Sequence, residues 1–371
     1  MQETDLPALV TQVLWASFAL AVAFGAIAQR THFCTMGAVA DIVNMGDWTR
    51  MRMWLMAMGV AMIGFNVMVA LGWVQAGQSV YAGPRLVWLS NALGGLLFGF
   101  GMVLASGCGS KTLVRIGGGS LKSVVVFFLM AVAAYATLRG ITAVARVATV
   151  DTVSLTLASG QDLPSVVAKM TGASRGSLAL LLSGSIGGVF IAFAMAKPEG
   201  RSADALLAGL GLGAVIVAVW WVSGRLGHLA EHPVTLEDVF LATNTQRMES
   251  LTFVAPMAYT VDWLILFSDK SKVLTIGIVT TLGVVVGSAL MALLNRSFRW
   301  EGFGGSEDTA NHIVGALLMG VGGVTAMGCT IGQGLSGVST LAIGSFIALA
   351  GIIGGAVLAL RYQVWRLDQG D

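Results

Sequence analysis

Charged residues are what this 371-residue sequence has least of: 11 % are Asp, Glu, Lys or Arg, against roughly 25 % in a soluble domain. So little charge cannot dress a water-facing surface, and with 56 % of the residues hydrophobic the chain reads as an integral membrane protein. Disorder is excluded by the same arithmetic. The 21 basic and 19 acidic residues leave a net charge of +2, which excludes a polycationic, nucleic-acid-binding surface. Cysteine is scarce as well. Three thiols, none close to another in sequence, build neither a disulfide framework nor a Cys-x-x-Cys redox pair. His312 and three distant thiols fall short of the roughly four ligands a metal site needs, so no cofactor is expected. The acidic opening Met1–Pro7 precedes an apolar run too long for a cleaved signal peptide.

What the sequence has in abundance is uninterrupted apolar chain. A bilayer core takes about 20 residues per helix. Nine full spans are expected, at 9–29, 52–74, 88–107, 121–139, 178–196, 203–223, 273–294, 311–328 and 341–360. The stretch 309–360 holds 52 residues without a charge, and its middle, Cys329-Thr330-Ile331-Gly332-Gln333-Gly334, is small and polar. Irregular backbone survives at membrane depth only where protein or a watery cavity satisfies it. Residues 329–340 are therefore expected as a short re-entrant helix, as are 31–46, 108–120 and 250–267. The stretch 151–175 reads as an interfacial loop or hairpin, and 225–249 belongs outside the hydrocarbon.

Sliding the sequence by 221 residues places Cys108 on Cys329, and nine of the eighteen positions in 91–108 then match 312–329. The matches include Gly94/Gly315, Gly99/Gly320, Gly101/Gly322 and Gly107/Gly328. The same offset brings Asp41 onto Asp262 and Cys34 onto Ala255. The expected architecture is an all-α polytopic membrane protein of two pseudo-symmetric repeats, 1–150 and 201–371, joined by a loop and an extra span in 151–200. Four spans return the chain to its starting side and a fifth crosses over, so the second repeat runs inverted. Inverted repeats with broken helices are a transporter architecture. With the N-terminus outside, twelve of the 21 basic residues fall on the inner side, the direction the positive-inside rule favours.

Each cysteine stands where a run meets a break: Arg30-Thr31-His32-Phe33-Cys34-Thr35, Ser106-Gly107-Cys108-Gly109-Ser110-Lys111, and Met327-Gly328-Cys329-Thr330. The N-terminus of the next half-helix should point backbone N–H groups near the thiol, and such an end attracts anions. A thiol adds a weak S–H donor and a soft sulfur surface, a combination suited to an anion that is itself part sulfur. A single buried cysteine is ordinarily a small hydrophobe; three at breaks, two of them repeat-related, point to use. Gly109, Ser110, Thr330 and Gln333 offer neutral donors beside the thiols. Lys111, and Arg115 after it, can hold an anion as it leaves or simply snorkel. Asp41 and Asp262 are intramembrane acids, suited to capping or to proton coupling. His32 is a poor base for Cys34, since i and i+2 do not share a helix face.

These residues resemble the YeeE/YedE family of bacterial inner-membrane permeases, whose characterised member imports thiosulfate. The likeness is carried by Arg30-x-x-Phe33-Cys34, the run ending Gly107-Cys108-Gly109 and the run ending Gly328-Cys329-Thr330, and covers nearly the whole chain. It implies an hourglass-shaped fold with broken helices and a multi-pass inner-membrane location. It also implies a non-covalent thiosulfate relay along Cys34, Cys108 and Cys329. Other members are linked to selenium or other sulfur oxyanions, which leaves those as alternative cargo; a membrane thiol sulfurtransferase or redox enzyme is the rival class. A dianion entering a cell at 100 mV climbs about 4.6 kcal/mol. Net uptake then calls for consumption inside, by a cytoplasmic sulfurtransferase-like (TusA-like) partner, or for coupling at Asp41 or Asp262.

Overall fold

Helix is the one open-chain backbone form that satisfies its own polar groups in hydrocarbon, and the computed structural model, which describes residues 6–233 and 236–368, is built of it. The opening through residue 5 lies outside the described residues, as do 234–235 in the expected outer loop and 369–371 at the end of the expected second repeat. Strands among the described residues are two short antiparallel pairs, β1 (Arg85–Leu86) with β2 (Leu155–Thr156) and β3 (His228–Leu229) with β4 (Val239–Phe240).

In chain order the first half comprises α1 (Leu6–Thr31), α2 (Thr35–Met45), α3 (Thr49–Ala70), α4 (Trp88–Leu104), α5 (Gly109–Gly117) and α6 (Leu121–Arg139). Between the halves come α7 (Ile141–Ala148), α8 (Leu163–Thr171) and α9 (Arg175–Met195). The second half comprises α10 (Ala203–Leu226), α11 (Val254–Ile265), α12 (Ile276–Leu294), α13 (Ser306–Thr325), α14 (330–339) and α15 (Ile343–Asp368). Among the described residues eight segments are long and apolar enough to cross a membrane, α1 being counted together with α2 and α4 with α5. The ninth expected span corresponds to α13. Its twenty residues reach about 30 Å at 1.5 Å each, but it starts earlier than expected because Glu307 and Asp308 belong to its first turn. The four expected re-entrant segments are the short helices α2, α5, α11 and α14. The region expected as a loop at 151–175 contains α8, which Asp162 opens by accepting from Ser165 N–H at 2.9 Å.

Long, short, long, long, short, long is the order of elements in both halves. The packing exchanges between them in the same way. Helix α1 packs on α12 and α10 on α3; α4 packs on α15 and α13 on α6; α2 packs on α15 and α11 on α6; α5 packs on α12 and α14 on α3. At the centre α4 crosses α13 on glycine. A Cβ at Gly94 would stand 2.8 Å from Gly322 O, and one at Gly101 2.7 Å from Gly315 O. Seven residues forward in α4 are thus seven residues back in α13, so the two helices cross antiparallel. Small residues let backbones approach this closely where lipid supplies no hydrophobic drive. Helix α9 has no counterpart in this exchange and packs on α3.

Candidate functional site

The three cysteines share one local device. Helices α1, α4 and α13 each end with a left-handed residue two positions before the thiol: His32 (φ 52°), Ser106 (φ 54°) and Met327 (φ 60°). The following N–H reaches back over the helix end, Phe33 to Ala28 O at 3.2 Å, Gly107 to Met102 O at 2.8 Å and Gly328 to Gly323 O at 2.8 Å. This is the six-to-one closure of a Schellman end. Cysteine comes next, in extended conformation at Cys34 and Cys108 (ψ 124° and 178°), and caps the following short helix. One helix is thereby stopped and another started within four residues, with the sulfur at the joint.

All three thiols are buried in protein, with Cys34 7 % exposed and Cys108 and Cys329 fully covered, so none faces lipid. Cys34 Sγ accepts from Gly37 N–H at 3.4 Å and Cys329 Sγ from Gly332 N–H at 3.4 Å. Each of these sulfurs is therefore occupied as an acceptor of a backbone N–H. Cys108 Sγ shares a hydrogen bond with Ser110 Oγ at 3.3 Å. Cys108 is within electrostatic reach of both Cys34 and Cys329, which makes it the middle of the three. Gly109, at the start of α5, packs against Phe253, Val254 and Met257 at the start of α11, bringing two positive helix ends together. Buried hydroxyls without a protein partner follow two of the thiols directly, Thr35 Oγ1 and Thr330 Oγ1, and Trp54 Nε1 is a third such donor. Trp54 stacks on Phe33, ring centroids 5.6 Å apart, beside Cys34. Leaving a buried donor unmatched costs free energy, and these three lie in or beside the segments that carry Cys34 and Cys329. Gln333 is buried too, its Nε2 donating to Ala326 O while Oε1 has no partner.

The sequence over residues 30–358 matches the family model described as Sulphur transport. The thiosulfate transporter TsuA of Escherichia coli is 28 % identical over 315 residues, which cover 84 % of this chain and 83 % of that one. The protein of the same name from Spirochaeta thermophila is 25 % identical over 355 residues, 91 % of this chain and 94 % of that one. The probable transporter YedE of Salmonella typhimurium is 36 % identical over 94 residues, 25 % of this chain and 22 % of its own length. The chain belongs to the Sulphur transport family. Its relatives are named as transporters and not as enzymes, and the matched region takes in all three cysteines.

Within this sulphur-transport fold the two ends of the thiol series differ in chemistry. Around Cys34 stand cations: Lys111 and Arg115 act on the thiol, and Arg50 and Lys111 act on the exposed His32. The Arg50 guanidinium lies against Gly37 and pairs with Asp41 at 3.3 Å. Asp41 is therefore ion-paired on the short helix that Cys34 caps. Asp262, on α11, is bound by Lys272 at 2.6 Å. The two acids match in both halves, each near the C-terminus of a short helix and tied to a cation on the segment that follows.

At the other end Thr252 Oγ1 lies 3.9 Å from Cys329 Sγ on the wall of a chamber of about 180 Å³, which also includes Tyr81, Arg146, Glu249, Tyr259 and Gly328. Helix α14 is fixed beside it by Ser336 Oγ donating to Leu251 O (2.7 Å) and by Trp220 Nε1 donating to Ser339 Oγ (3.0 Å). Glu249 lies on the connection between α10 and α11, half-buried, with Oε1 fully enclosed and unpartnered. Burial pushes its carboxyl up to about 8, against hydrogen bonds from the Asn244 backbone and the Thr245 side chain that favour the charged form. Burial likewise raises the Tyr81 phenol. Sequence reading missed this chamber because its wall comes from distant segments whose polar residues carry no spacing pattern.

Proposed function

We propose that the chain imports thiosulfate across the bacterial inner membrane by handing the dianion from Cys329 to Cys108 to Cys34 without a covalent bond. The observation that carries this reading is the repeated joint: three buried thiols, each at the end of a Schellman-closed helix and the start of a short one, with Cys108 between the other two. A sulfur already accepting a backbone N–H is polarised toward donating its own S–H. The terminal sulfur of thiosulfate, a soft acceptor, suits that donor, and its oxygens suit Gly109, Ser110, Thr35 and Thr330 at the positive helix ends. Several weak stations favour passage over trapping.

The two halves act as inverted repeats in this reading. Support comes from the exchanged packing and from the antiparallel crossing of α4 and α13, which hold the same place in their halves. Helices α1 and α3 cross out and back, so the connection bearing Tyr81 lies on the side where α1 begins. With that side outside, the Cys329 chamber takes up the anion and the cationic Cys34 mouth, with Lys111 and Arg115, releases it. A cytoplasmic sulfurtransferase of the TusA-like kind then consumes it. Asp41 and Asp262, both ion-paired, serve as anchors of the short helices rather than as coupling groups.

Uptake of labelled thiosulfate into vesicles tests the relay. Hydrogen bonds to charged partners contribute about 1.5–3 kcal/mol, so Cys→Ala at 34, 108 or 329 should cut uptake roughly ten- to a hundredfold. Serine, which keeps a donor and loses the soft sulfur, should restore part of it. Intact mass should show no persulfide during turnover. Alanine variants importing at the wild-type rate sink the proposal.

A further inference from the structure

The chamber whose wall reaches Cys329 through Thr252 contains an acid the sulfur relay does not use. Glu249 stands three residues before Thr252, whose hydroxyl is 3.9 Å from Cys329 Sγ, and both line the same cavity of about 180 Å³. Its Oε1 is enclosed and has no partner among the described residues. We propose that Glu249 is the gate of the anion path: as a carboxylic acid it donates a hydrogen bond to the anion in the chamber, and as a carboxylate it turns the anion away. The inference rests on thiosulfate reaching Cys329 through this chamber.

No cation pairs with Glu249 among the described residues, and its carboxylate form is supported by hydrogen bonds from the Asn244 backbone and the Thr245 side chain alone. From α7 comes Arg146, already paired with Asp151 at 3.4 Å. From the α3–α4 connection comes the Tyr81 phenol, and from α11 the Tyr259 phenol, both of which feel Glu249. Arg139, at the end of α6, acts on Tyr259, and Arg247, two residues before Glu249, lies against Gly83. Thr252, on the chamber wall, connects it to Cys329, its hydroxyl 3.9 Å from that sulfur. Helices α12 and α13 contribute Ile276, Gly277, Gly323 and Val324, none of them titratable. Proton occupancy at Glu249 therefore sets the sign of charge that an arriving anion meets. Burial keeps the group protonated up to about pH 8, so the gate stands open at neutral pH and shuts in alkali.

The test is thiosulfate uptake by the full chain in proteoliposomes over external pH 6 to 9.5. When only the protonated form admits the anion, apparent affinity scales with its fraction. The KM should therefore rise about tenfold between pH 7 and 9. Glu249→Gln keeps a donor and never ionises, so its KM should stay at the low-pH value throughout. A variant whose KM climbs with pH as the wild type does overturns the gate. Melting temperature supplies a readout that needs no transport. Between the ordinary carboxyl range and about pH 8 the native state holds a proton that the unfolded chain has released, so stability must fall as pH rises and level off above 8. E249Q should lose that slope, and a wild-type melting curve flat from pH 5 to 8 also overturns the gate. Absence of thiosulfate uptake at every pH, with the melting slope intact and lost in E249Q, instead overturns the transport reading on which the gate rests.

Discussion

At the scale of single residues the pattern to explain is which polar groups are spent and which are free. The acids that an intramembrane setting makes conspicuous, Asp41 and Asp262, are spent: Arg50 holds one and Lys272 the other. Glu249, which sequence position places on an ordinary loop, has no cation partner among the described residues and keeps Oε1 without a hydrogen bond. Burial and pairing cannot be read from a one-dimensional string, and that is why the conspicuous acids and the unpaired one differ. The thiols were legible because each sits at a change from apolar run to small polar residues. The device behind them was not, since a helix stop is normally announced by glycine at the left-handed position, and here His32, Ser106 and Met327 occupy it. Asp41→Asn should loosen Arg50 at the cost of about 1 kcal/mol, because the Arg50 side of the pair is open to solvent and screened. Its pH profile of uptake, and that of Asp262→Asn, should keep the wild-type midpoint. A midpoint displaced in either variant would return the coupling role to that carboxyl.

At the scale of elements the sequence carried most of what matters. Helix α14 is legible from a charge-free run with a small polar centre, whereas α2, α5 and α11 lie in stretches that carry Asp41, Lys111 and Arg115, and Asp262. The 221-residue offset is legible from glycines, because close crossings force small residues at fixed places. The misreadings have a common cause. Charge in a string reads as non-helical chain, yet α8 is helix, as is the first turn of α13, where Glu307 and Asp308 complement the helix dipole. The glycine crossing supports a sharp contrast. A Cβ at Gly322 would stand 2.5 Å from Phe98 N and 2.7 Å from Gly94 O, whereas Gly188 on α9 has open space. Gly322→Ala should force α4 from α13 and destabilise by about 1–3 kcal/mol, in the range of overpacking. Gly188→Ala should be neutral or stabilise by up to about 1 kcal/mol from helix propensity. Melting both in detergent decides it: equal melting points for the two variants would mean that the α4–α13 contact is not as close as the geometry has it.

At the scale of the whole molecule the question is how much charge crosses with each turn. The thiols' electrostatic neighbours are one another, Lys111, Arg115 and the Tyr81 phenol, cations and neutral groups rather than carboxylates that would carry a proton along the path. Glu249 stands at the chamber, and in the proposed relay it would act before the first thiol. The anion should therefore move with both of its charges. At about 2.3 kcal/mol per charge per 100 mV, and about 1.4 kcal/mol per tenfold, the equilibrium accumulation ratio should change about 2000-fold per 100 mV. One accompanying proton would reduce this to about 50-fold. Proteoliposomes clamped at a series of potassium diffusion potentials, with internal and external thiosulfate measured at steady state, distinguish the two slopes. The two-charge slope has a physiological corollary. An inside-negative membrane alone would drain thiosulfate, and net import then depends on its removal at the cationic Cys34 mouth, where a sulfur-consuming partner would act. A one-charge slope would mean that a proton travels the length of the corridor, and the thiols, the remaining titratable groups along it, would have to carry it.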